Sequence, residues 1–364
     1  MKFRCERDPL VDAITNASRG VTNRGGSRRA LDGLALRLSG DHLQVTGTDL
    51  SLTVSVRTSV TGDRDGMVVI PSRLLTEIVK ALPSGAVTVE SDDNEVRIGS
   101  GRSKFAVRTI PAAEFPQLPE PPSGSMSLDA ATLADALRQV VAAASNDEQR
   151  PVLTGVLMAA ENDGLRLVAT DSYRLAVRDL PGVAVLADGQ SVLVPSLALK
   201  ELARLLAGAD SVTIRLGDTD VSFEVGNVRL TSQLLDGDFP NYKGLIPQSH
   251  PNRLTVGREA INEALRRVRL LAKDHQAIRL AITDDSVELV ATSPDVGEAR
   301  EEVDARHDGD ALTVAFNPEY LAAGIEVTGG DEITLETIDA LKPAIIRGSD
   351  NPEFLYLLMP IRVP

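Results

Sequence analysis

Acidic residues crowd together at three places in the 364-residue sequence, and such pairs could bind a metal ion or act as general acid and base. They fall in segments 63–65, 92–95 and 218–220. Each segment lies in a predicted hairpin turn, where Asp, Asn and Gly are favoured for backbone reasons. The ligand pattern of an EF-hand loop is also missing. We therefore interpret these acids as turn residues.

Other residue types that could support catalysis are too few or too scattered. Cys5 is the only cysteine, so no internal disulfide can form. The histidines are His42, His250, His275 and His307, which have no metal-ligand spacing. The sequence contains no P-loop, HExxH, G-x-S-x-G or strand-following G-x-G-x-x-G motif. We expect a protein that is not an enzyme and has no metal or cofactor.

The charge balance limits how the chain could bind nucleic acid. Its formal net charge is −14 and its pI is near 4.8, which disfavours a long basic groove. Aromatic residues make up only 3%, which also disfavours a base-stacking platform. Segments 19–29 and 257–273 are locally basic exceptions. The amino terminus lacks a signal-peptide pattern and no apolar run reaches membrane-spanning length, which predicts a cytoplasmic protein.

The elements that would position any site are repeated three times. Segments 43–54, 165–177 and 287–299 each read as strand, turn and strand around a Thr-centred corner. Asp49, Asp171 and Ser293 occupy the same place in these segments and follow one another at intervals of 122 residues. A repeat of this length indicates three copies of one supersecondary unit.

Prolines give the same period. Predicted helix starts contain Pro71, Pro195 and Pro318, spaced by 124 and 123 residues, and a Phe-Pro pair at 115–116 recurs at 239–240. Proline is tolerated at the first helical position because its missing N–H has no helical partner there. Proline-rich segments 114–124 and 239–251 join the copies and predict semi-rigid linkers.

Each copy has the pattern of an α+β domain. Amphipathic helices are predicted over 7–20, 129–145 and 257–273, and Asp129 is a suitable N-cap. Segments such as 87–100 and 212–226 alternate apolar and polar residues, which predicts antiparallel hairpins with one buried face. The predicted domains are residues 1–122, 123–249 and 250–364. Repetition alone leaves an open rod and a closed ring equally plausible.

Six motifs across the chain resemble the bacterial replicative sliding clamp, the beta subunit of DNA polymerase III. They are TGTDLSL (46–52), GRSKFAVRTIPAAEFPQL (101–118), ATDSYRLAV (169–177), LLDGDFPNYKGLIP (234–247), FNPEYL (316–321) and YLLMPIRVP (356–364). The resemblance implies three clamp domains per chain and a head-to-tail dimeric ring of six domains. Antiparallel sheets would lie outside and helices would line the hole.

The same resemblance implies a function. The ring would encircle duplex DNA without reading its sequence and act as a non-catalytic processivity factor. Expected partners are a second copy of the chain, double-stranded DNA, the DNA polymerase III alpha subunit, the clamp loader and other proteins with clamp-binding peptides, with no membrane partner. The alternative is a clamp paralogue with altered partner or inhibitor sensitivity.

A peptide-binding pocket between domains 2 and 3 is carried over position by position. The matching residues are Leu153, Thr170, Ser172, Tyr173, Arg174, Leu175, Pro240, Gly244, Leu245, Leu357, Met359, Pro360, Ile361 and Arg362. Aliphatic side chains and an adaptable methionine suit apolar peptide anchors. Leu175 and Leu357 could equally be core residues of their strands. Gly244 departs from the basic residue that many relatives have there.

Basic residues are the candidates for facing DNA. Arg24 and Arg73 fall where the resemblance implies DNA-contacting arginines, and Arg266 and Arg267 lie on the locally basic helix. The alternative for each is an ordinary solvated helix face.

The subunit interface should join the end of domain 1 to the start of domain 3. Its candidates are the apolar residues Phe105, Val107, Leu270 and Leu271, the cations Arg102 and Lys104, and the acids Glu298, Glu301 and Glu302. The acidic run could instead be a solvated strand face.

Overall fold

The computed structural model describes residues 1–21, 29–92, 94–120, 123–161, 163–272 and 277–362. The first third of the chain forms β1 (Lys2–Glu6), α1 (Arg7–Ala17), β2 (Gly33–Ser39), β3 (His42–Thr48), β4 (Leu52–Ser59), β5 (Thr61–Arg64), β6 (Gly66–Pro71), α2 (Ser72–Ala81), β7 (Ala86–Ser91), β8 (Glu95–Ser100) and β9 (Ser103–Arg108).

The rest of the chain repeats this order twice, without a counterpart of β5. The second third forms β10 (Met126–Asp129), α3 (Ala130–Val140), β11 (Gly155–Glu161), β12 (Gly164–Thr170), β13 (Arg174–Pro181), β14 (Ser191–Pro195), α4 (Ser196–Leu205), β15 (Ser211–Leu216), β16 (Asp220–Val225) and β17 (Val228–Gln233). The last third forms β18 (Asn252–Gly257), α5 (Arg258–Val268), β19 (Ile278–Ile282), β20 (Ser286–Ser293), β21 (Gly297–Asp308), β22 (Leu312–Phe316), α6 (Pro318–Val327), β23 (Glu332–Thr337), β24 (Ala344–Gly348) and β25 (Asn351–Leu358). The predicted α+β repeat is confirmed.

The described residues group into two compact units, 1–134 with 197–234 and 135–196 with 235–364. In the first unit, one sheet has the order β5-β1-β7-β8-β9 and another the order β10-β15-β16-β17-β4-β3-β2-β6. In the second unit, one sheet has the order β14-β11-β12-β13-β25-β24-β23-β18-β21-β20-β19-β22. Within each unit a sheet therefore continues from one repeat into the next, through the pairs β4–β17 and β13–β25.

Each opening helix buries a narrow apolar stripe against its sheet. In α1 the stripe is Leu10, Ala13, Ile14 and Ala17, and in α5 it is Ile261, Ala264, Leu265 and Val268. This spacing of three and four residues is that of one helix face. Gly47 on β3 lets the end of α1 approach closely, because a Cβ there would lie 2.2 Å from the carbonyl oxygen of Ala17.

Several helix boundaries differ from the predictions. Helices α1 and α3 end at Ala17 and Val140 rather than at 20 and 145. Pro71 and Pro195 end strands β6 and β14, and their helices begin one residue later, whereas Pro318 does open α6. Helix α5 was predicted to reach residue 273, but in the described part of the chain it ends at Val268. The predicted N-cap is confirmed, because Asp129 Oδ2 accepts a 2.7 Å hydrogen bond from the Thr132 N–H.

The acidic runs are structural. Asp92 lies in the β7–β8 turn, where the N–H groups of Asn94 and Glu95 hold the pKa of Asp92 below its ordinary value. The prediction that Asp63 lies in a turn is wrong, because Asp63 lies within β5. It forms an ion pair with Lys2 at 3.1 Å. Among the residues that the structure describes, neither arrangement contains a group of three carboxylates that could hold a metal ion.

Candidate functional site

The floor of the predicted peptide site is formed by β13 and β25, which pair in antiparallel register. Leu175 lies opposite Leu357, and Val177 lies opposite Leu355. Leu175 and Leu357 are only 1% and 2% exposed, so they are core residues that support the site from below. Their buried cluster contains Val168, Leu175, Val177, Tyr242, Ile345, Leu355 and Leu357.

A tight turn between β12 and β13 forms the wall above this floor. Two side chains of the turn form hydrogen bonds with its backbone. The Thr170 hydroxyl donates to the Arg174 carbonyl at 2.7 Å, and Asp171 Oδ1 accepts from the Tyr173 N–H at 2.9 Å. Ser172 adopts a positive φ of 82°. These contacts close the turn in the manner of an Asx turn and leave Tyr173 58% exposed at its tip.

Arg174 is held among aromatic rings. Its Nε donates to Asp171 Oδ2 at 3.0 Å, and its guanidinium carbon lies 4.5 Å from the centre of the Tyr320 ring. The rings of Tyr173 and Tyr320 are stacked with centroids 6.3 Å apart. Burial raises the pKa of Tyr356 to about 12, so its hydroxyl stays protonated and donates to the Tyr320 carbonyl at 3.0 Å. Arg174 is therefore a fixed wall of the site.

The C-terminal segment continues the floor outward. The Met359 N–H donates to the Tyr173 carbonyl at 2.9 Å, and the Ile361 N–H donates to the Ala315 carbonyl at 2.7 Å. Met359 is 37% exposed, so an apolar side chain is presented beside the turn. We call this surface the aliphatic site: its floor is the cluster above, and its rim is Tyr173, Leu245 and Met359.

The other predicted pocket residues differ in exposure. Leu153 is buried, Pro360 and Ile361 are half-buried, and Pro240, Gly244, Leu245 and Arg362 are exposed. Phe239 and Tyr242 of the linker form an edge-to-face pair, and Phe239 packs on the floor cluster. The linker is thereby fixed against the second repeat.

The sequence interpretation missed two contributors to this site. Tyr320 supports Arg174 and Tyr173, and it was visible within the FNPEYL motif. Arg150 donates to the Ser172 hydroxyl at 3.2 Å and to Asp147 at 2.9 Å. No sequence signal pointed to Arg150, because its role depends on how the turn folds.

The candidate DNA-facing arginines have different surroundings. Arg73 is exposed and pairs with Glu77 on the next helical turn at 2.9 Å. Arg267 is bonded twice by Glu301, at 2.8 and 3.0 Å, and the Arg267 guanidinium holds the pKa of Glu301 below its ordinary value. Arg266 is exposed and has no carboxylate within 4.0 Å in the described part of the chain. Arg24 lies outside the described residues.

The candidate interface residues in the first unit lie on an unpaired strand edge. Strand β9 pairs only with β8 among the described strands. Phe105 is 38% exposed on β9, whereas Val107 is only 7% exposed and belongs to the core. Arg102 and Lys104 are exposed and have no carboxylate within 4.0 Å in the described residues. The edge is therefore positively charged with one apolar group.

The candidates in the second unit lie near another unpaired edge. Among the described strands, β20 is the only one that pairs with residues 297–303 of β21. Of the acids there, Glu298 pairs with Arg300 and Glu302 accepts from the Ser286 hydroxyl. Beyond the end of α5, Leu270 is 73% exposed, and Leu271 is half-buried.

Other site chemistry is sparse in the residues that the structure describes. No group of three His, Cys, Asp or Glu side chains there could hold a metal ion, and no described helix could cross a membrane. Burial raises the pKa of the Cys5 thiol to about 12, which keeps it protonated and unreactive at neutral pH.

Comparisons with known proteins cover the whole chain. Models of the DNA polymerase III beta subunit match its N-terminal domain at residues 1–119, its central domain at 127–241 and its C-terminal domain at 243–362. The chain is 32% identical to the beta sliding clamp of Streptomyces coelicolor and 33% identical to that of Synechococcus elongatus, with 100% of each chain covered.

Solved structures agree with these relatives. The DNA polymerase sliding clamp from Bacillus subtilis has a TM-score of 0.95 at 30% identity. A sliding clamp from Bartonella birtlesii bound to griselimycin has a TM-score of 0.94 at 31% identity. Each comparison covers 100% of both chains.

Proposed function

The chain belongs to the family of the DNA polymerase III beta subunit, the bacterial sliding clamps, and on that premise we propose how its parts serve a clamp. The protein is a DNA sliding clamp, a non-catalytic processivity factor that acts as a homodimer on duplex DNA and binds partner proteins. We assign its three clamp domains to residues 1–122, 123–249 and 250–364, and its place of action to the cytoplasm.

Topology explains how an acidic protein can hold a polyanion. With a net charge of −14, retention by phosphate neutralisation would be weak and strongly salt-dependent. A closed ring is retained until it opens, and loose contacts leave it free to slide. A polymerase bound to the ring then rebinds its template as an intramolecular event at high effective concentration.

We assign partner binding to the aliphatic site. The observation that carries this assignment is the hydrogen bond from the Met359 N–H to the Tyr173 carbonyl, which joins the end of the chain to the turn of the second repeat. It presents the apolar Met359 side chain beside the exposed Tyr173 ring, above a rigid buried floor. Such a surface suits a short peptide with aliphatic or aromatic anchors.

For DNA contact we favour Arg73 and Arg266, because both are exposed and neither is held by more than one carboxylate. Arg267 remains a weaker candidate, since phosphate contact would compete with Glu301 and Glu263. Arg24 stays a prediction. We expect each arginine to contribute a small, sequence-independent attraction.

For the dimer we propose that the β9 edge of one protomer pairs with the β21 edge of its partner. Unpaired edges invite a further strand, and the cations Arg102 and Lys104 complement the acids Glu298 and Glu302. Leu270 would cover apolar surface in this contact, as would Phe105. A head-to-tail pairing of these unlike edges closes when two chains complete the turn.

The function is tested by loading the purified protein onto circular and linear duplexes with a clamp loader. Retention on closed circles and loss from cut ends, at the same salt concentration, is the expected result. Equal retention on both forms would contradict topological binding.

The variant Leu270→Asp should sediment as a monomer because it places a charge in an apolar contact. Leu341→Asp, another exposed leucine of this unit, is the control and should stay dimeric.

A second candidate, a clamp paralogue with altered partner or inhibitor sensitivity, is favoured by Gly244 alone. That residue leaves open space where a basic side chain is expected from the family resemblance. Binding of griselimycin, found on a relative, would distinguish the two: weak binding that Gly244→Arg restores would favour the paralogue.

A further inference from the structure

A second cleft lies within the first unit and is lined by residues that the aliphatic site does not contain. Its volume is about 980 Å³, at the upper end of the roughly 300–1,000 Å³ of ligand pockets. The floor is the outer face of β2, β3, β4 and β17, and linker residues 112–120 form one wall. We call it the hydroxyl cleft, after Thr46, Thr53, Ser55 and Thr231 on its floor.

Backbone contacts identify this cleft as the repeat counterpart of the aliphatic site. The Gln233 N–H donates to the Ser51 carbonyl at 2.9 Å, just as the Met359 N–H donates to the Tyr173 carbonyl. Leu50 has a φ of 79° in the corresponding turn, where Ser172 has 82°. Both surfaces are bordered by a Phe-Pro linker, at 115–116 and 239–240.

Six floor positions on the strands have changed from apolar to polar between the two surfaces. Strand register matches Val168, Leu175, Val177, Ile345, Leu355 and Leu357 of the aliphatic site with Thr46, Thr53, Ser55, Ser222, Arg229 and Thr231. The hydroxyls bond one another across strands, Thr46 to Ser55 at 2.9 Å and Thr48 to Thr53 at 2.7 Å. Hydroxyl contacts thus order the strand floor, and an apolar patch of Ala35, Met67, Phe115 and Leu118 lies beside it.

Two guanidinium groups at one end of the cleft lack a carboxylate. Arg37 and Arg57 flank Gln44 in one cross-strand row on β2, β3 and β4. Arg37 bonds the Met67 sulfur at 3.3 Å, a weak acceptor, and neither arginine has a carboxylate within 4.0 Å among the described residues. Two exposed cations without a carboxylate partner among the described residues therefore face one cleft in a chain of net charge −14, which favours an anionic ligand.

The opposite end has the opposite charge. Asp220 lines the cleft and lies opposite Gln233 in the strand register. The Gln233 N–H donates to the Ser51 carbonyl, and Ser51 lies six residues before Arg57 in the sequence. At about 3.3 Å per residue the two ends are about 20 Å apart. A compact anion would fill only the arginine end, whereas an extended chain would use the hydroxyls along the whole floor.

We propose that the hydroxyl cleft binds an extended peptide segment of a partner protein, with acidic residues placed between Arg37 and Arg57 and uncharged polar residues along the floor. Nucleic acid is a poorer occupant, because two free cations neutralise few phosphates and the lining offers no exposed aromatic ring for stacking. This second site is independent of the proposed use of the aliphatic site.

The test uses the full-length dimer and a fluorescein-labelled peptide with two Glu residues separated by one Ser at one end and only Ser and Gly elsewhere. We expect saturable binding by fluorescence anisotropy, weakened by added salt. The double variant Arg37→Ala/Arg57→Ala should weaken binding about tenfold or more, because it removes charge-assisted hydrogen bonds. Arg97→Ala, an exposed arginine on β8 outside the cleft, is the matched control and should bind normally.

The proposal would be overturned by the absence of saturable binding, by unchanged binding of the double variant, or by equal binding of a peptide with Gln in place of Glu. Displacement by an aliphatic clamp-binding peptide would assign the probe to the other site and also contradict it. Displacement by a single-stranded oligonucleotide at equal concentration would favour nucleic acid. A photo-crosslinking group on the bound probe should label residues 112–120.

Discussion

The aliphatic site and the hydroxyl cleft share a backbone plan and differ in what covers it. In both, a Thr-Asp turn with a positive-φ residue meets the last strand of the following repeat, and a Phe-Pro linker packs beside them. Leu175 faces Leu357 in one, and Thr53 faces Thr231 in the other. The same backbone plan therefore tolerates either floor. Ligand chemistry can then diverge between repeats without changing the architecture.

The largest effect should come from exchanging floor residues between the two surfaces. Leu175→Thr places a hydroxyl and a cavity in a cluster where the side chain is 1% exposed, and should cost about 2–4 kcal/mol of unfolding free energy. Thr53→Leu should change stability by less than about 1 kcal/mol, since Thr53 is half-buried and Thr48 keeps its bond to the Leu52 carbonyl. Differential scanning calorimetry of both variants measures the asymmetry.

Equal losses in the two variants would break the comparison, because they would make the hydroxyl floor as much a packed core as the aliphatic one. The reciprocal control is Leu175→Met, which keeps volume and apolarity and should cost less than about 1.5 kcal/mol.

Next in size is the truncation of the aliphatic rim. Met359→Ala removes an exposed thioether side chain while the Met359 N–H keeps its bond to Tyr173, so the site stays assembled. We expect about tenfold weaker binding of an aliphatic clamp-binding peptide, measured by calorimetry. Gln233→Ala, at the corresponding position of the hydroxyl cleft, should leave that affinity unchanged. An unchanged affinity for Met359→Ala would remove this side chain from the site.

The two surfaces also show how much of the structure could be predicted from the sequence. The 122-residue repeat predicted the α+β units correctly, because the apolar spacing of each helix and strand is a local pattern. The motif resemblance supplied the candidate residues of the peptide site, which stay a prediction. Gln44, Thr46 and Thr48 alternate along β3, and the sequence analysis assigned no site to them. Only the pairing of β4 with β17 shows that this strand floors a cleft.

Side-chain partners were the least predictable part. Arg267 and Glu301 were assigned to DNA and to the dimer, yet they bind each other across 34 residues of sequence. Leu175, Leu357 and Val107 were candidates for contact with a partner and proved to be core, because strand alternation does not say which face another element covers. Such outcomes depend on tertiary packing, which periodicity does not encode.

A smaller effect should follow from filling the open rim at Gly244. A Cβ there meets no atom within 4 Å, so Gly244→Arg should fold normally and present a new guanidinium beside the aliphatic site. Lys243 is already paired with Glu161 at 2.9 Å, so the new charge would be the free one. We expect affinity for a peptide with an acidic flank to rise up to about fivefold at low salt, the range of an exposed ion pair. Gly244→Gln is the uncharged control, and an equal gain with it would contradict an electrostatic cause.

The smallest expected effect concerns Asp220, at the acidic end of the hydroxyl cleft. Burial raises the pKa of Asp220 above its ordinary value of 3.8, so the folded protein binds this proton more tightly than the unfolded chain does. Above the folded-state pKa the ionised carboxylate therefore destabilises the fold, and the cost disappears as pH falls below 3.8, where both states are protonated. Asp220→Asn should raise the melting temperature slightly at pH 7 and leave it unchanged at pH 3.5.

By strand register the aliphatic site has Pro343 at this position. Proline has no charge to titrate, so no corresponding pH effect should arise there. A melting temperature that falls on Asp220→Asn at pH 7 would instead indicate that the carboxylate stabilises the first unit through a contact at the mouth of the cleft.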